Sequence, residues 1–283
     1  MESLTAQLYF PAQAASGYQR ICDPLNSALR WMHFGRIQLQ QSGMQWERTH
    51  LDHEMVLVLL QGSATVQLDN GTTITMGPRH DPWQAPPTIL IVPPGQHATL
   101  GAGSHGAELA VVSTPAMAGG EVIQLPPERI ATTIHGSGRF RREVSLGTVD
   151  AFPEQRLMVG ETRSVPGGWT SFPPHKHDTV LPPTEMPYEE LYFYLMAPSA
   201  GFGFQRIYNP PEREDPLDMT FCVHTGDTVV IPHGYHPFVG APGIEVYYLW
   251  AMCGEPGLHT YGQNSIDPIY AHLQSGTREE EPS

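Results

Sequence analysis

Two histidines, an acidic pair and a third histidine are the residues of this chain whose types and spacing could hold a metal ion. His175 and His177 form a His-x-His motif directly after Pro173-Pro174, Glu189-Glu190 opens an aromatic run, and His236 ends a later Gly-x-His turn. Histidines in His-x-His point to one face only in extended backbone, because side chains alternate along a strand. Three imidazoles and one carboxylate on neighbouring strands predict a mixed nitrogen and oxygen site for a divalent first-row metal.

The segments that must position these residues read as β-strands. The chain contains 28 glycines and 28 prolines and shows no long amphipathic helical pattern. This composition is typical of many short strands separated by turns. In the first half, residues 54–62 predict a buried strand that ends in a glycine turn, and residues 63–68 alternate as a second strand before a hairpin signal.

The two halves of the chain repeat one pattern. Each has a strand that opens at a glutamate, a glycine-containing hairpin, a return strand, and an apolar strand that runs through proline to Gly-x-His. Residues 93–97 correspond to residues 232–236, which gives a repeat of about 140 residues. The repeat predicts two β-barrels related by duplication. We expect domains at 1–130 and 131–283, divided in the Gly- and Pro-rich stretch.

Composition excludes several classes of protein. The net charge of −14 argues against a nucleic-acid partner, and no stretch approaches 18 uninterrupted apolar residues, so we expect no membrane partner. Three distant cysteines predict no disulfide framework, and the start of the chain lacks a signal-peptide pattern. We expect a soluble cytoplasmic protein. Lys176 is the only lysine and should face away from a site formed by its neighbours, which argues against Schiff-base chemistry.

Several motifs resemble the 5-deoxy-glucuronate isomerase family of inositol breakdown. They are Phe-Pro-Pro-His-Lys-His-Asp at 172–178, Glu-Glu-Leu-Tyr at 189–192, Gly-Phe-Gly-Phe-Gln-Arg-Ile-Tyr at 201–208, Gly-Tyr-His-Pro at 234–237 and Ala-Pro-Gly at 241–243. The resemblance covers most of the chain, and its specific motifs lie in the second half. It implies an all-β bicupin, with two tandem jelly-roll-like barrels, and a relationship to the ketol-isomerase of pectin-derived uronates. The N-terminal barrel is expected to lack a metal.

The resemblance also implies a ligand set and a cofactor. Glu190 rather than Glu189 matches the related isomerase's Glu-hydrophobic-Tyr pattern, and it shares a strand face with Tyr192. Zinc is the expected ion, with manganese, iron or nickel as alternatives. A small sugar-acid substrate and a homo-oligomer of two or more chains are expected. The implied metal ligands are His175, His177, Glu190 and His236.

The implied reaction is the aldose–ketose interconversion of 5-deoxy-glucuronate to 5-dehydro-2-deoxy-gluconate. A metal at the C1 carbonyl and C2 hydroxyl oxygens would acidify the C2 hydrogen, and a base would then move a proton from C2 to C1. Glu190 released from the metal, a tyrosine such as Tyr192, or a metal-bound hydroxide could be that base. Arg206 is a candidate clamp for the substrate carboxylate, with Tyr248 and Lys176 as further candidates for substrate binding.

Other functions remain open at this point. A centre of three histidines and one glutamate with iron or copper also suits a dioxygenase, and a non-catalytic sugar-binding protein would bind metal and ligand without turnover. A related uronate ketol-isomerase is a further alternative. The chain departs from the family pattern at Leu195, near which an arginine is usual, and at Trp250. Both positions bear on the identity of the substrate.

The first half contains a weaker counterpart of this ligand pattern, formed by His50, His53, Glu54 and His97. On a continuous strand His50 and His53 would point to opposite faces, so they could not both bind one ion without a bend. We therefore expect a degenerate barrel that serves stability or dimerisation.

Overall fold

A computed structural model of the protein describes residues 2–117, 119–148, 156–210, 212–258 and 261–273. Antiparallel strands make up most of this structure, and the all-β prediction is confirmed. The helical elements of the described residues are α1 (Glu2–Leu8) and three short 3-10 helices, Pro127–Arg129, Gly138–Phe140 and Pro268–Leu273. None of these helices has the length and apolar character needed to cross a membrane.

After β1 (Tyr9–Phe10), the strands of the first half form one sheet, which we call the N-terminal unit. These strands are β2 (Gly17–Cys22), β3 (His33–Leu39), β4 (Gln45–Glu47), β5 (His53–Leu68), β6 (Thr73–Arg79), β7 (Ile89–Val92), β8 (Ala98–Pro115) and β9 (Ile123–Leu125). Their order is β2-β3-β8-β5-β7-β9, with β4 paired to β8 and β6 paired to β5.

The strands of the second half form what we call the C-terminal unit. They are β10 (Ala131–His135), β11 (Arg142–Leu146), β12 (Leu157–Ser164), β13 (Trp169–Thr170), β14 (His175–Lys176), β15 (Tyr188–Ala197), β16 (Phe202–Tyr208), β17 (Asp218–His224), β18 (Thr228–Ile231), β19 (Phe238–Gly240), β20 (Glu245–Gly254) and β21 (Ser265–Ile266). One sheet has the order β1-β18-β15-β20-β12-β11-β10, a second has the order β13-β19-β16-β17, and β14 pairs with β21.

Strand pairing changes from the N-terminal unit to the C-terminal unit between β9 and β10. β9 still pairs with β7 in the N-terminal unit, whereas β10 already pairs with β11 in the C-terminal unit. One short strand of the first half belongs to a sheet of the C-terminal unit, because β1 pairs with β18. The assignment of 1–130 and 131–283 as separate domains stays a prediction.

The two units repeat one pairing register, as the internal repeat predicted. In the N-terminal unit Met55 on β5 lies opposite Val92 on β7 and Ser113 on β8. In the C-terminal unit Glu190 on β15 lies opposite Ile231 on β18 and Met252 on β20. Met55 and Glu190 are therefore structural counterparts.

The apolar core follows from alternation along these strands. Leu57 and Leu59 of β5 belong to a cluster inside the N-terminal unit, whereas Val56 and Val58 belong to a second cluster that also contains Phe193 of β15. Side chains of successive residues therefore point to opposite faces of the strand and pack into two different hydrophobic clusters. A buried ion pair adds to the contact between units, since Arg79 donates to both carboxylate oxygens of Glu161 at 2.8 and 2.7 Å.

The predicted glycine turn at Gly62 is wrong. β5 runs through this residue from His53 to Leu68, and the register shifts between Gly62 and Ala64. Gly62 has a φ of +83°, and a Cβ there would lie 2.2 Å from the carbonyl oxygen of Gly106. Only glycine fits this close approach, so the residue marks a bulge that bends one long strand.

Candidate metal centre

Three of the predicted ligands meet inside the C-terminal unit. Ligand atoms of His177, Glu190 and His236 all lie within 4.8 Å of one another, and all three residues are buried. His177 Nε2 lies 3.0 Å and His236 Nε2 lies 3.2 Å from Glu190 Oε2. His175 stands beside this group, with its ring centre 4.7 Å from that of His236. The structure therefore brings together residues that are separated by up to 61 positions in the chain.

Backbone carbonyls orient all three imidazoles in the same way. The Nδ1 atoms of His175, His177 and His236 lie 3.3, 3.0 and 3.0 Å from the carbonyl oxygens of residues 173, 188 and 234. A carbonyl oxygen only accepts, so each Nδ1 donates a proton and the neutral ring has its lone pair on Nε2. A hydrogen bond from the other ring nitrogen to a carbonyl oxygen, which fixes the orientation of the imidazole, is typical of metal-binding histidines.

The electrostatics of the cluster favour an anionic carboxylate. Burial alone would raise the pKa of Glu190, but the hydrogen bond from His177 and the charges of His177 and His236 lower it to about 2. Burial and the neighbouring histidines lower the pKa of His175 to about 3, so its imidazole is neutral at pH 7. The pKa of His177 is raised, because the interaction with Glu190 outweighs burial.

One buried nitrogen atom of the cluster lacks a hydrogen-bond partner among the described residues. His236 is fully buried, and its Nε2 makes no hydrogen bond with any of the described residues although Glu190 Oε2 is near. An unpaired buried nitrogen is costly, and a cation between the imidazoles and the carboxylate would satisfy it. The donor set of neutral nitrogen and anionic oxygen therefore fits a divalent first-row ion.

A cavity of about 320 Å³ opens onto this cluster. Tyr192 lines the cavity, stacks on Tyr248 with ring centres 4.5 Å apart, and shares a 2.7 Å hydrogen bond with Ser171. Burial and the negative charge of Glu190 raise the pKa of Tyr192 well above its usual value, so its phenol stays protonated. Trp250 also lines the cavity, whereas the described lining does not include Leu195.

Glu189 points away from the cluster and towards the N-terminal unit. Its carboxylate accepts hydrogen bonds from the backbone N–H groups of Arg30, Trp31 and Met32, at 2.6, 3.1 and 2.7 Å. This geometry supports the choice of Glu190 as the ligand.

Two predicted substrate-binding residues lie away from the cavity. Arg206 points outward and donates through two nitrogens to Asp218 at 2.8 and 2.9 Å. Gln205 takes the inward position instead, where it accepts from Tyr194 and donates to the carbonyl oxygen of His236. Lys176 faces away from its histidine neighbours, as alternation predicted, and pairs with Asp178 and Glu185 at 2.8 Å.

Arg142 lines the cavity but is not among the site residues predicted from the sequence. Among the described residues it is the only lysine or arginine that lines the cavity, and one of its nitrogens donates to the carbonyl oxygen of Phe140 at 3.1 Å. The missed signal is local, because Arg142 and Val144 alternate on β11 and both line the cavity.

Comparisons with known proteins agree with this architecture. Residues 8–270 match the model of the KduI/IolB family. The chain is 29% identical over 250 residues to the 5-deoxy-glucuronate isomerase of Geobacillus kaustophilus, covering 88% of this chain and 90% of the relative. It is 31% identical over 225 residues to the 5-deoxy-glucuronate isomerase of Geobacillus thermodenitrificans, covering 79% and 81%.

Solved structures show the same fold. An IolB-like protein from Salmonella typhimurium LT2 superposes with a TM-score of 0.87 at 29% identity, covering 95% of this chain and 99% of that one. The oxalate decarboxylase of Lactobacillus farciminis superposes with a TM-score of 0.62 at 12% identity, covering 92% and 88%. The second likeness concerns the fold alone.

Proposed function

Because the chain belongs to the KduI/IolB family, we propose that it is a metal-dependent aldose–ketose isomerase that acts on 5-deoxy-glucuronate in inositol breakdown. As an isomerase of this family, it needs a site that holds a sugar acid and moves a proton. The observation that supports the C-terminal cavity as this site is the convergence of His177, Glu190 and His236 ligand atoms within 4.8 Å.

A divalent ion held by His175, His177, Glu190 and His236 would supply a Lewis acid that polarises the substrate carbonyl. Zinc suits three imidazoles and one carboxylate, and manganese, iron and nickel accept the same donors. The low pKa of Glu190, about 2, favours the role of ligand over that of a proton acceptor.

Tyr192 is placed to act on the substrate from the cavity wall. Its protonated phenol can donate a hydrogen bond to an oxygen that gains negative charge as the C2 proton leaves. Ser171 fixes the phenol through the 2.7 Å hydrogen bond, and stacking on Tyr248 fixes the plane of its ring.

Arg142 is our candidate partner for the substrate carboxylate, in place of Arg206. A guanidinium group matches a carboxylate with two parallel hydrogen bonds. Arg142 lines the cavity, whereas Arg206 is paired with Asp218 at the surface. Turnover of a uronate would therefore use Arg142 to orient the acid end while the aldehyde end lies at the metal ligands.

The test follows the proton. Metal-replete protein is incubated with 5-deoxy-glucuronate in deuterated water, and ketose formation and deuterium at C1 are followed by NMR. We expect turnover in the wild type, loss after chelation, and recovery with added zinc or manganese. Absence of turnover, or equal rates in the wild type and His175→Ala, would reject the isomerase. Oxygen uptake with a catechol instead of isomerisation would indicate a dioxygenase.

A matched pair of arginine variants tests substrate binding. Arg142→Gln should lower kcat/KM by about 10- to 100-fold, because a bidentate charged contact is lost. Arg141→Gln is the control, since the side chain of Arg141 is 42% exposed and lies 3.8 Å from Glu143. A similar loss in both variants, or no loss in Arg142→Gln, would contradict the assignment.

A further inference from the structure

A second group of side chains that could bind a metal ion lies in the N-terminal unit. In the sequence these residues are distant from those of the candidate centre. Ligand atoms of His50, Asp52 and His53 all lie within 4.8 Å of one another. The rings of His50 and His53 are nearly parallel, with centres 4.9 Å apart. His33 adds a third imidazole, with its ring centre 4.6 Å from that of His53 and 5.6 Å from that of His50.

The prediction that His50 and His53 lie on opposite strand faces is wrong. β5 begins only at His53, and residues 51–52 form a turn that brings His50 back beside it. Alternation applies within a strand and says nothing about a residue outside it. The turn at residues 51–52 is therefore the bend that His50 and His53 need to approach one ion.

A buried arginine holds this turn in place. Arg48 donates to the carbonyl oxygens of His50, Pro93 and Gln96 at 3.0, 2.9 and 2.9 Å, and it also donates to that of His53. Arg48 is only 5% exposed. Because its donors are directed at backbone oxygens, the arginine fixes the segment that presents His50 and Asp52. A preorganised loop lowers the entropy cost of ligand binding.

The orientation and charge of the cluster suit a cation. Ser113 Oγ lies 3.2 Å from His53 Nδ1, and the other ring nitrogen of His53 lies 3.9 Å from Asp52 Oδ1. Asp23 adds a second carboxylate, 4.0 Å from His33. His50 and Asp52 are exposed, so an ion has an open route to the cluster.

We propose that His50, Asp52 and His53 form a second binding site for a divalent transition-metal ion, with His33 beside it. Two nitrogens and one oxygen suit zinc, nickel or cobalt, and the exposed side leaves coordination positions for water. The site is separate from the C-terminal cavity, and metal binding there does not depend on the proposed isomerase activity.

Metal stoichiometry tests the proposal. The whole chain is stripped with a chelator, then titrated with Co²⁺ by visible absorption and with Zn²⁺ against a chromophoric chelator at pH 7.5. We expect about two equivalents in the wild type and about one in His50→Gln/Asp52→Asn, since exposed ligands can be removed without breaking the fold. His177→Ala should lose the other equivalent and keep this one.

The control is His97→Gln, which removes an exposed histidine from the same unit and should leave both equivalents. A second readout is thermal: Zn²⁺ should raise the Tm of His177→Ala, and this rise should vanish when His50→Gln/Asp52→Asn is added. Equal metal stoichiometry in the wild type and in His50→Gln/Asp52→Asn would overturn the proposal, whatever the number of equivalents that the wild type binds. Circular dichroism of each stripped variant confirms that the fold is intact.

Discussion

The two units place different side chains at the same positions of one pairing register. Glu190 faces the candidate centre, whereas its counterpart Met55 is buried among apolar side chains. His236 is buried beside Glu190, whereas His97, its counterpart in the repeated Gly-x-His turn, is exposed. Duplication therefore preserved the backbone, while the side chains at a few inward positions decide which unit can hold an ion there.

A second pair of counterparts kept the same role in both units. Glu54 precedes Met55 as Glu189 precedes Glu190, and each of these buried carboxylates accepts backbone hydrogen bonds from the opposite unit. Glu54 accepts from the N–H groups of Arg156 and Leu157, both at 2.8 Å. One glutamate of each strand thus joins the units, and only the C-terminal strand has a second glutamate, which is available to the centre.

The largest expected effect concerns the two counterpart histidines. His236→Ala should lower kcat/KM by at least about 100- to 1,000-fold, because a buried ligand is lost from the centre. His97→Ala should keep wild-type activity, since its side chain is exposed. Steady-state kinetics with metal analysis checks both. A comparable loss in the two variants would remove the functional distinction between the units.

Exchanging the residues at the central counterpart position should affect stability in one unit far more than in the other. Met55→Glu places a carboxylate opposite Val92 and Ser113 and should cost about 3–5 kcal/mol in urea unfolding at pH 8. Burial would raise the pKa of this carboxyl, so the loss should shrink as the pH falls and the group takes up a proton.

The reciprocal variant is the control for that exchange. Glu190→Met should change stability by less than about 1.5 kcal/mol at pH 8, because replacing a buried charged group by an apolar side chain of similar volume is often close to neutral, but it should lose the metal. Equal costs for the two variants would show that the counterpart positions are electrostatically alike.

The carboxylates that join the units should differ by a smaller amount. Glu189 uses one oxygen for Arg30 and the other for Trp31 and Met32, whereas Glu54 accepts both of its bonds at a single oxygen. In Glu189→Gln the new amide N–H₂ would face an N–H donor, which should cost about 1–3 kcal/mol. Glu54→Gln can keep both bonds through its remaining oxygen and should cost less. Urea midpoints that are lowered equally would contradict this.

The smallest expected effect is a pH dependence of opposite sign in the two units. Burial and the nearby His33 lower the pKa of His53 to about 4. The unfolded chain then binds this proton more readily, so stability should fall as the pH drops from about 6.5 to about 4, by an amount on the order of 1 kcal/mol after solvent screening. His53→Gln should remove this loss when urea unfolding is followed with a chelator present.

His177 should behave in the opposite way, because its pKa is raised by Glu190. Its contribution to stability is present below pH 6.5 and is lost as the pH rises through the folded pKa. For each variant, the difference between its urea midpoint and that of the wild type is measured across the pH range. If these differences change with pH in the same direction for His177→Ala and His53→Gln, the predicted opposite pH dependence of the two histidines is wrong.

Much of the candidate centre could be predicted from local patterns. A His-x-His motif after two prolines is extended, so His175 and His177 share a face and Lys176 points away from them, as the structure has it. The choice of Glu190 over Glu189 needed the family pattern as well as alternation, and the hydrogen bonds of Glu189 to the other unit supply the physical reason.

Other predictions were wrong because contacts between distant segments outweighed the local sequence pattern. Gly62 reads as a turn residue, but the approach of Gly106 from β8 makes it a bulge inside one long strand. Arg206 is the charged residue of a conspicuous motif, yet its parity on β16 places it at the surface beside Asp218, and Arg142 lines the cavity instead.

The sequence by itself determined the all-β class, the internal repeat and which residues of a regular strand share a face, because alternation is a property of neighbouring residues. Only the tertiary structure decided which faces meet. Glu190 and His236 converge because β15 and β18 pair in one register, and a backbone hydrogen bond from Tyr188 to the carbonyl oxygen of His177 brings His177 to the same place. His50 joins His53 because a turn ends the alternation before β5 begins. Such convergence depends on packing between distant segments, which no local spacing records.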